Sequence, residues 1–238
     1  MHINDGIFNP INPITNTVNT ADLAVLVVTW AITVPFLFFA WKKTKANYSS
    51  SIASTLAVMS ALVFVIQMLT FQVPGGTSVH IVGGTMLSVV LGPYPAMLSM
   101  TIVLLMQAVF FADGGFLAFG ANALNMAVIG SLSYFLIKLM MRNSDSRSRF
   151  TLSVFIAAFV SSILTALATG LEVGVSSTFA NAGGIMLTVP AMLSVYFIAG
   201  LVEAGATSTI ATALAYSVHR FNSQALIGVK MLRGKEIQ

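Results

Sequence analysis

The chain contains three histidines, His2, His80 and His219, and no cysteine. Without thiolates, a bound metal has to rely on nitrogen, oxygen or thioether ligands. His2 directly follows Met1, and that position has a chemical consequence. The terminal amine, the His2 amide nitrogen and the His2 imidazole can all reach one ion. Amine and amide close a five-membered ring, and amide and Nδ1 close a six-membered ring. One in-plane position is left, which a second imidazole could fill. Four nitrogens in a plane suit Ni(II) or Cu(II), whereas zinc prefers a tetrahedral site. The arrangement requires a free amine on Met1 and a segment from Ile3 to Thr20 that folds back into the rest of the protein. Taken singly, a terminal histidine is an ordinary solvated one.

His80 lies within Pro74-Gly75-Gly76-Thr77-Ser78-Val79-His80-Ile81-Val82-Gly83-Gly84-Thr85, one ionisable side chain between two Gly-Gly pairs. Glycines weaken a helix by about 1 kcal/mol each and let backbones approach closely. At membrane depth, irregular backbone is tolerated only where protein buries it or where it lines a cavity. An ionisable residue in such a place is a functional-site candidate; the plainer alternative is a structural histidine bonded to a neighbouring helix. His219 adjoins Arg220 at an expected membrane surface and needs no special role. Four further polar residues fall within apolar runs: Gln107, Asn122, Asn125 and Glu203. The i, i+3 spacing of Asn122 and Asn125 places both on one helix face. Such groups could orient a ligand histidine or join helices by hydrogen bonds. The 13 methionines are scattered along the apolar runs, as packing residues are, rather than gathered into a thioether copper site.

These residues sit in a chain of 238 residues that is 57% hydrophobic and only 8% charged, with a mean hydropathy of +0.91. An ordinary soluble domain carries about 25% charged residues, so lipid has to replace the missing water. Apolar stretches of about 18–25 residues fit helices that cross a bilayer, and no barrel-like alternation is present. The sequence predicts an all-α integral membrane protein, a single transmembrane domain of about seven helices. The runs lie near Ala21–Trp41, Ile52–Phe71, Ser78–Leu91, Ala96–Ala112, Leu117–Met141, Phe150–Leu171 and Met186–Val218. The last is long enough to tilt, or to break near Pro190 or Gly200. Residues 1–20 form an N-terminal segment, 21–220 the helical bundle and 221–238 a tail.

Topology follows from charge. With the N-terminus outside and seven crossings, all 11 basic residues fall on the cytoplasmic side, while Asp5, Asp22, Asp113 and Glu172 fall outside. This obeys the rule that Lys and Arg stay inside, and it accounts for a pI near 9.6 without invoking nucleic acid. The start lacks a basic region and its first apolar run is too long for a signal peptide, so the N-terminus is expected to persist. There is no G-x-x-x-x-G-K-[ST] and no H-E-x-x-H, hence no sign of a P-loop or of a zinc protease. No nucleophile or acid–base partner accompanies His80, so enzymatic activity is not expected.

The opening Met1-His2-Ile3-Asn4-Asp5-Gly6 resembles the Met-His-Ile-x-Asp/Glu-Gly start of the CbiM/NikM family. These are the substrate-capturing membrane subunits of nickel and cobalt energy-coupling factor transporters, some of them serving cobalamin biosynthesis. Gly75-Gly76-Thr77-Ser78-Val79-His80 through Gly83-Gly84 is similar to that family's second metal-ligand segment. Leu91-Gly92-Pro93, Gln107-Ala108-Val109-Phe110-Phe111-Ala112-Asp113-Gly114-Gly115 and Gly120-Ala121-Asn122-Ala123-Leu124-Asn125-Met126-Ala127 continue the likeness. Ile7-Phe8-Asn9-Pro10 departs from the family's usual aromatic/Leu-Leu-Pro-like continuation.

The resemblance implies a compact bundle with the N-terminal segment inserted from outside. It also implies a metal held by the Met1 amine, the His2 amide and imidazole, and the His80 imidazole. Ni(II) or Co(II) would be the transported ion rather than a cofactor. The expected partners are a transmembrane coupling subunit, ATPase subunits and a small accessory membrane subunit. The alternative is a stand-alone secondary carrier or channel for a small solute, with His80 on the pathway.

Overall fold

The computed structural model describes residues 2–12, 14–47, 52–73, 77–142, 146–217 and 227–232. Met1, Pro74 to Gly76 and His219 lie outside the described residues. The architecture is helical: α1 Thr20–Asn47, α2 Ile52–Gln67, α3 Gly84–Leu91, α4 Pro93–Phe111, α5 Phe119–Asn122, α6 Gly130–Met141, α7 Arg147–Gly174, α8 Ser177–Ala180, α9 Ile185–Ser217 and α10 Ile227–Leu232. A π-helical stretch, Ala123–Ile129, joins α5 to α6, so that Phe119–Met141 is one rod. Among the described residues, five helices are long and apolar enough to cross a membrane, and the shorter α2 is also apolar.

The third expected run departs from a simple span. Its start is extended: β1 Phe71–Val73 pairs antiparallel with β2 Thr77–Val79, with Phe71 opposite Val79. Helix begins only at Gly84 and stops after 8 residues, all of them buried. Gly83, at φ +77°, sits in left-handed backbone that residues other than glycine adopt at a cost. That conformation cannot continue a right-handed helix, and it turns the chain into α3. Gly84 permits a close crossing, since a Cβ there would lie 2.7 Å from the Cα of Gly130 on α6. By contrast, α9 runs unbroken through Pro190 and Gly200. Pro190 lies near the start of the helix, where little of the ladder is lost. A Cβ on Gly200 would meet Ser162 of α7 at 3.1 Å.

The α7–α9 contact uses small residues at four-residue spacing. Ser162, Ala166, Gly170 and Gly174 of α7 are all buried, and Cβ atoms at Gly170 and Gly174 would press on Val189 and Ile185 of α9. Lipid tails are as apolar as leucine, so such close backbone packing is what drives helix association in a membrane. The large exposed side chains, among them Phe38, Phe39, Phe110, Ile198 and Val202, lie on the outer faces of these helices, where lipid would cover them.

The helix ends segregate by charge. Lys42, Lys43, Lys138, Arg147 and Arg149 stand at one end of the rods, where α1 and α6 finish and α7 starts. At the opposite end the N-terminal segment is packed into the bundle. A 3₁₀ turn, Asp5–Ile7, follows its first residues, and an isolated bridge joins Ile11 to Val18. Ile3, Ile7 and Phe8 are buried against Leu26 of α1, Ala118 and Ala121 at α5, and Val173 of α7. This segment is a plug.

Candidate metal centre

Three polar anchors hold the plug. Asn122 clasps Ile3 on both sides, its Oδ1 accepting from the Ile3 amide at 2.8 Å and its Nδ2 donating to the Ile3 carbonyl at 3.0 Å. The Asp5 carboxylate accepts from the amides of Phe116 at 2.8 Å and Ala118 at 3.0 Å. A Cβ on Gly115 would collide with that carboxylate, which explains the second glycine of Gly114-Gly115. Asp22 of α1, fully buried, accepts from the Asn9 amide at 2.8 Å, the Ser177 amide at 2.7 Å and the Ser177 hydroxyl at 2.6 Å. The departure from the family pattern after Gly6 therefore leaves Ile7 and Phe8 buried and the chain anchored at Asn9.

These anchors place His2 inside the bundle, 1% exposed. His80, 3% exposed, comes from the other side. The two imidazoles, 78 residues apart in sequence, face each other with ring centroids 4.5 Å apart and planes inclined by 31°. His80 Nδ1 lies 2.8 Å from the Ile81 carbonyl. A carbonyl only accepts, so Nδ1 carries the proton and Nε2 keeps its lone pair. That Nε2 is buried without a hydrogen-bond partner, as are both ring nitrogens of His2. Burial pushes the His80 imidazole well below its ordinary value, with the neighbouring His2 adding to the effect. Burial likewise lowers His2, against an opposing pull from Asp113. Both rings are therefore neutral near pH 7 and able to donate lone pairs to a cation.

The irregular backbone around His80 is satisfied by side chains from other helices. Glu203 of α9, 2% exposed, accepts from the amides of Val82 at 3.0 Å and Gly83 at 2.8 Å and from the Ser162 hydroxyl at 2.9 Å. The Val82 carbonyl accepts from Gln67 Nε2 at 2.7 Å. Because a carbonyl cannot donate, Gln67 must turn its Oε1 outward, and Gln107 Nε2 donates to it at 3.0 Å. Gln107 Oε1 is thereby left buried without a hydrogen-bond partner, close enough to His2 to favour its protonated form. The Tyr196 hydroxyl of α9 lies against the backbone of His80.

Of the expected residues, His2, His80, Asn122, Gln107 and Glu203 are gathered here. Asn125 is not. Its Nδ2 donates to Thr169 Oγ1 at 3.2 Å and to Glu172 Oε2 at 2.5 Å, both on α7. The expectation that Asn122 and Asn125 share one face fails because the chain widens into the π stretch between them. Bonds closed from i to i+5 spread residues three apart farther round the axis than an α-helix does. Sequence reading placed Asp5 and Asp113 outside without giving either a role as a side chain, and passed over Gln67. Asp113 Oδ1 lies 3.0 Å from His2 Nδ1, in contact but not aligned as a hydrogen bond. Burial raises the Asp113 carboxyl, but His2 outweighs it and holds the group below its ordinary value. The signal for Gln67 was available: it is the one amide within the hydrophobic helix α2, whose other polar residues are hydroxyls. Among the described residues, no three His, Cys, Asp or Glu side chains form a metal cage.

Comparison with known proteins identifies the family. The fused nickel transport protein NikMN of Rhodobacter capsulatus is 34% identical over 90% of this chain and 60% of its own length. The cobalt transport protein CbiM of Lachnoclostridium phytofermentans is 31% identical over 66% of this chain and 63% of its own. The chain spans 47% to 60% of the length of three fused nickel transport relatives. A solved transition metal transporter superposes with a TM-score of 0.78 at 32% identity, covering 94% of this chain and 99% of its own. The model of the cobalt uptake substrate-specific transmembrane region matches residues 19–220, and the chain therefore belongs to that family of multi-pass membrane transport proteins.

Proposed function

We propose that this chain is the capture subunit of a nickel or cobalt importer, taking Ni(II) or Co(II) from outside the cytoplasmic membrane. The ion is held in a square-planar set of four nitrogens: the Met1 amine, the His2 amide, His2 Nδ1 and His80 Nε2. One observation carries the reading. Two neutral imidazoles, brought 4.5 Å apart from distant parts of the chain, keep lone pairs buried with no hydrogen-bond partner. A buried polar nitrogen left unpaired is costly, and a ligand that fills it recovers that cost.

Backbone nitrogens complete the set because, among the described residues, too few ligating side chains converge. Loss of the amide proton favours Ni(II) and Co(II) over a weak Lewis acid such as Mg(II). Asn122 and Asp5 hold the plug that delivers His2, while Glu203 and Gln67 hold the loop that delivers His80. With the N-terminus outside, the basic helix ends face the cytoplasm, as the positive-inside rule requires. Uptake is driven by partner ATPases through a transmembrane coupling subunit. That the Rhodobacter capsulatus relative is a fused nickel transport protein fits a chain that works with further modules, including a small accessory membrane subunit.

The test compares the chain bearing a free Met1 amine with one extended by two N-terminal residues. Ni(II) and Co(II) affinity and thermal unfolding are measured on both. The expected result is loss of binding in the extended chain at unchanged stability. Equal affinity in the two chains would remove the N-terminus from the ligand set.

A further inference from the structure

Three aspartates lie at the plug end of the bundle, and their surroundings differ. Asp5 is saturated by two backbone amides, and Asp22 by two amides and a hydroxyl. Both are structural. Asp113 has no such partners: among the described residues its carboxylate meets only the Nδ1 edge of His2, at 3.0 Å and out of line. It is also the charged residue lining an open cleft of about 320 Å³, with Asn4, Met68, Thr70, Phe111 and Ala112 as the other walls. A dication with six waters at about 30 Å³ each occupies roughly 200 Å³, less than the volume of this cleft. The far side of Asp113 is the buried, unpartnered His2 ring. Entrance and site therefore meet at one carboxylate.

The chelate chemistry assigns that carboxylate its part. A six-membered ring with the His2 amide can be closed only through Nδ1, and in this structure Asp113 stands against Nδ1. A histidine held by a carboxylate on one nitrogen and a metal on the other is a common arrangement. Here it would use Nε2 and forfeit the chelate. Asp113 and the ion consequently compete for the same nitrogen.

We infer that Asp113 is the loading residue of the site: it captures the hydrated divalent cation in the cleft and yields His2 Nδ1 to it. It speeds entry and is not a ligand of the final complex. The inference rests on the four-nitrogen reading above. A fixed negative charge at the mouth of a cleft raises the local cation concentration and the association rate, and salt screens the effect.

Association and dissociation rates of Ni(II) are measured by stopped flow on the full chain with a free Met1. Wild type, Asp113→Asn and Asp113→Glu are compared across an ionic-strength series. Asp113→Asn is expected to slow association by about tenfold, to leave dissociation unchanged and to abolish the salt dependence seen in wild type. Asp113→Glu retains fast, salt-sensitive association. Faster dissociation at an unchanged association rate overturns the inference, because it makes Asp113 an orienting group or a ligand. Unchanged rates in Asp113→Asn overturn it as well, while leaving the four-nitrogen site standing. Failure of wild type itself to bind Ni(II) removes that site, and the loading role with it.

Discussion

Replacing Asn122 by leucine tests the plug directly, because leucine keeps the same heavy-atom branching and can neither donate nor accept. The substitution removes both bonds of the Ile3 clasp, at 2.8 and 3.0 Å. It leaves the Ile3 amide and carbonyl buried, since Ile3 is 0% exposed. Each orphaned buried group costs about 1–3 kcal/mol, so the docked plug loses about 2–6 kcal/mol. The bundle does not need the plug to span the membrane, so the loss falls on the docked state rather than on the fold. Because only the docked plug presents His2 to His80, apparent affinity falls with the docked fraction. At about 1.4 kcal/mol per tenfold, a loss of about 3 kcal/mol weakens Ni(II) binding about 100-fold. The assay is equilibrium dialysis of Ni(II) at fixed pH, with circular dichroism to follow helix content. Asn125→Leu, which touches only the Thr169 and Glu172 side, serves as the control and is expected to leave the Ile3 clasp intact. An Asn122→Leu protein that keeps its helices and binds within about threefold of wild type, about 0.7 kcal/mol, refutes the reasoning.

Affinity is expected to fall steeply on acidification, with a particular slope. Burial holds His2 and His80 below the ordinary imidazole value, so both are already neutral at pH 7 and release no proton on binding. The amine, ordinarily near pH 7.7–8.0, and the amide release about one proton each. The apparent Kd is therefore expected to rise about 100-fold from pH 7 to pH 6, and titrations that show no pH dependence contradict the ligand set. In Glu203→Leu the amides of Val82 and Gly83 lose their acceptor, while the Ser162 hydroxyl keeps the Ala158 carbonyl at 3.0 Å. Each buried amide left without a partner costs about 1–3 kcal/mol, so both thermal stability and Ni(II) affinity are expected to drop. A variant with unchanged affinity would mean that Glu203 does not position His80. In Gly84→Ala the new methyl meets Gly130 and the Met126 carbonyl within 3 Å, which predicts about 1–3 kcal/mol of destabilisation, read as a lower unfolding midpoint in detergent.

Much of the molecule was legible in the sequence because lipid imposes a simple rule. Long apolar runs must become helices, and the lysines and arginines gather at one end of them. Chemistry local to the chain was legible too: a histidine second in sequence can chelate through its own backbone, and a histidine between glycine pairs lies where a helix is weakened. Sequence alone did not show that Glu203 and Gln67 would take over the hydrogen bonds that the His80 loop forgoes. Those partners lie 120 and 15 residues away from the groups they satisfy. Nor did it separate Asn122 from Asn125, since a π stretch is set by packing rather than by composition. The three outer aspartates look alike in sequence and differ only in what surrounds them, and that is decided by tertiary structure. Periodicity and charge report a residue's relation to solvent and lipid, whereas its partners depend on which distant backbones are brought within 3 Å.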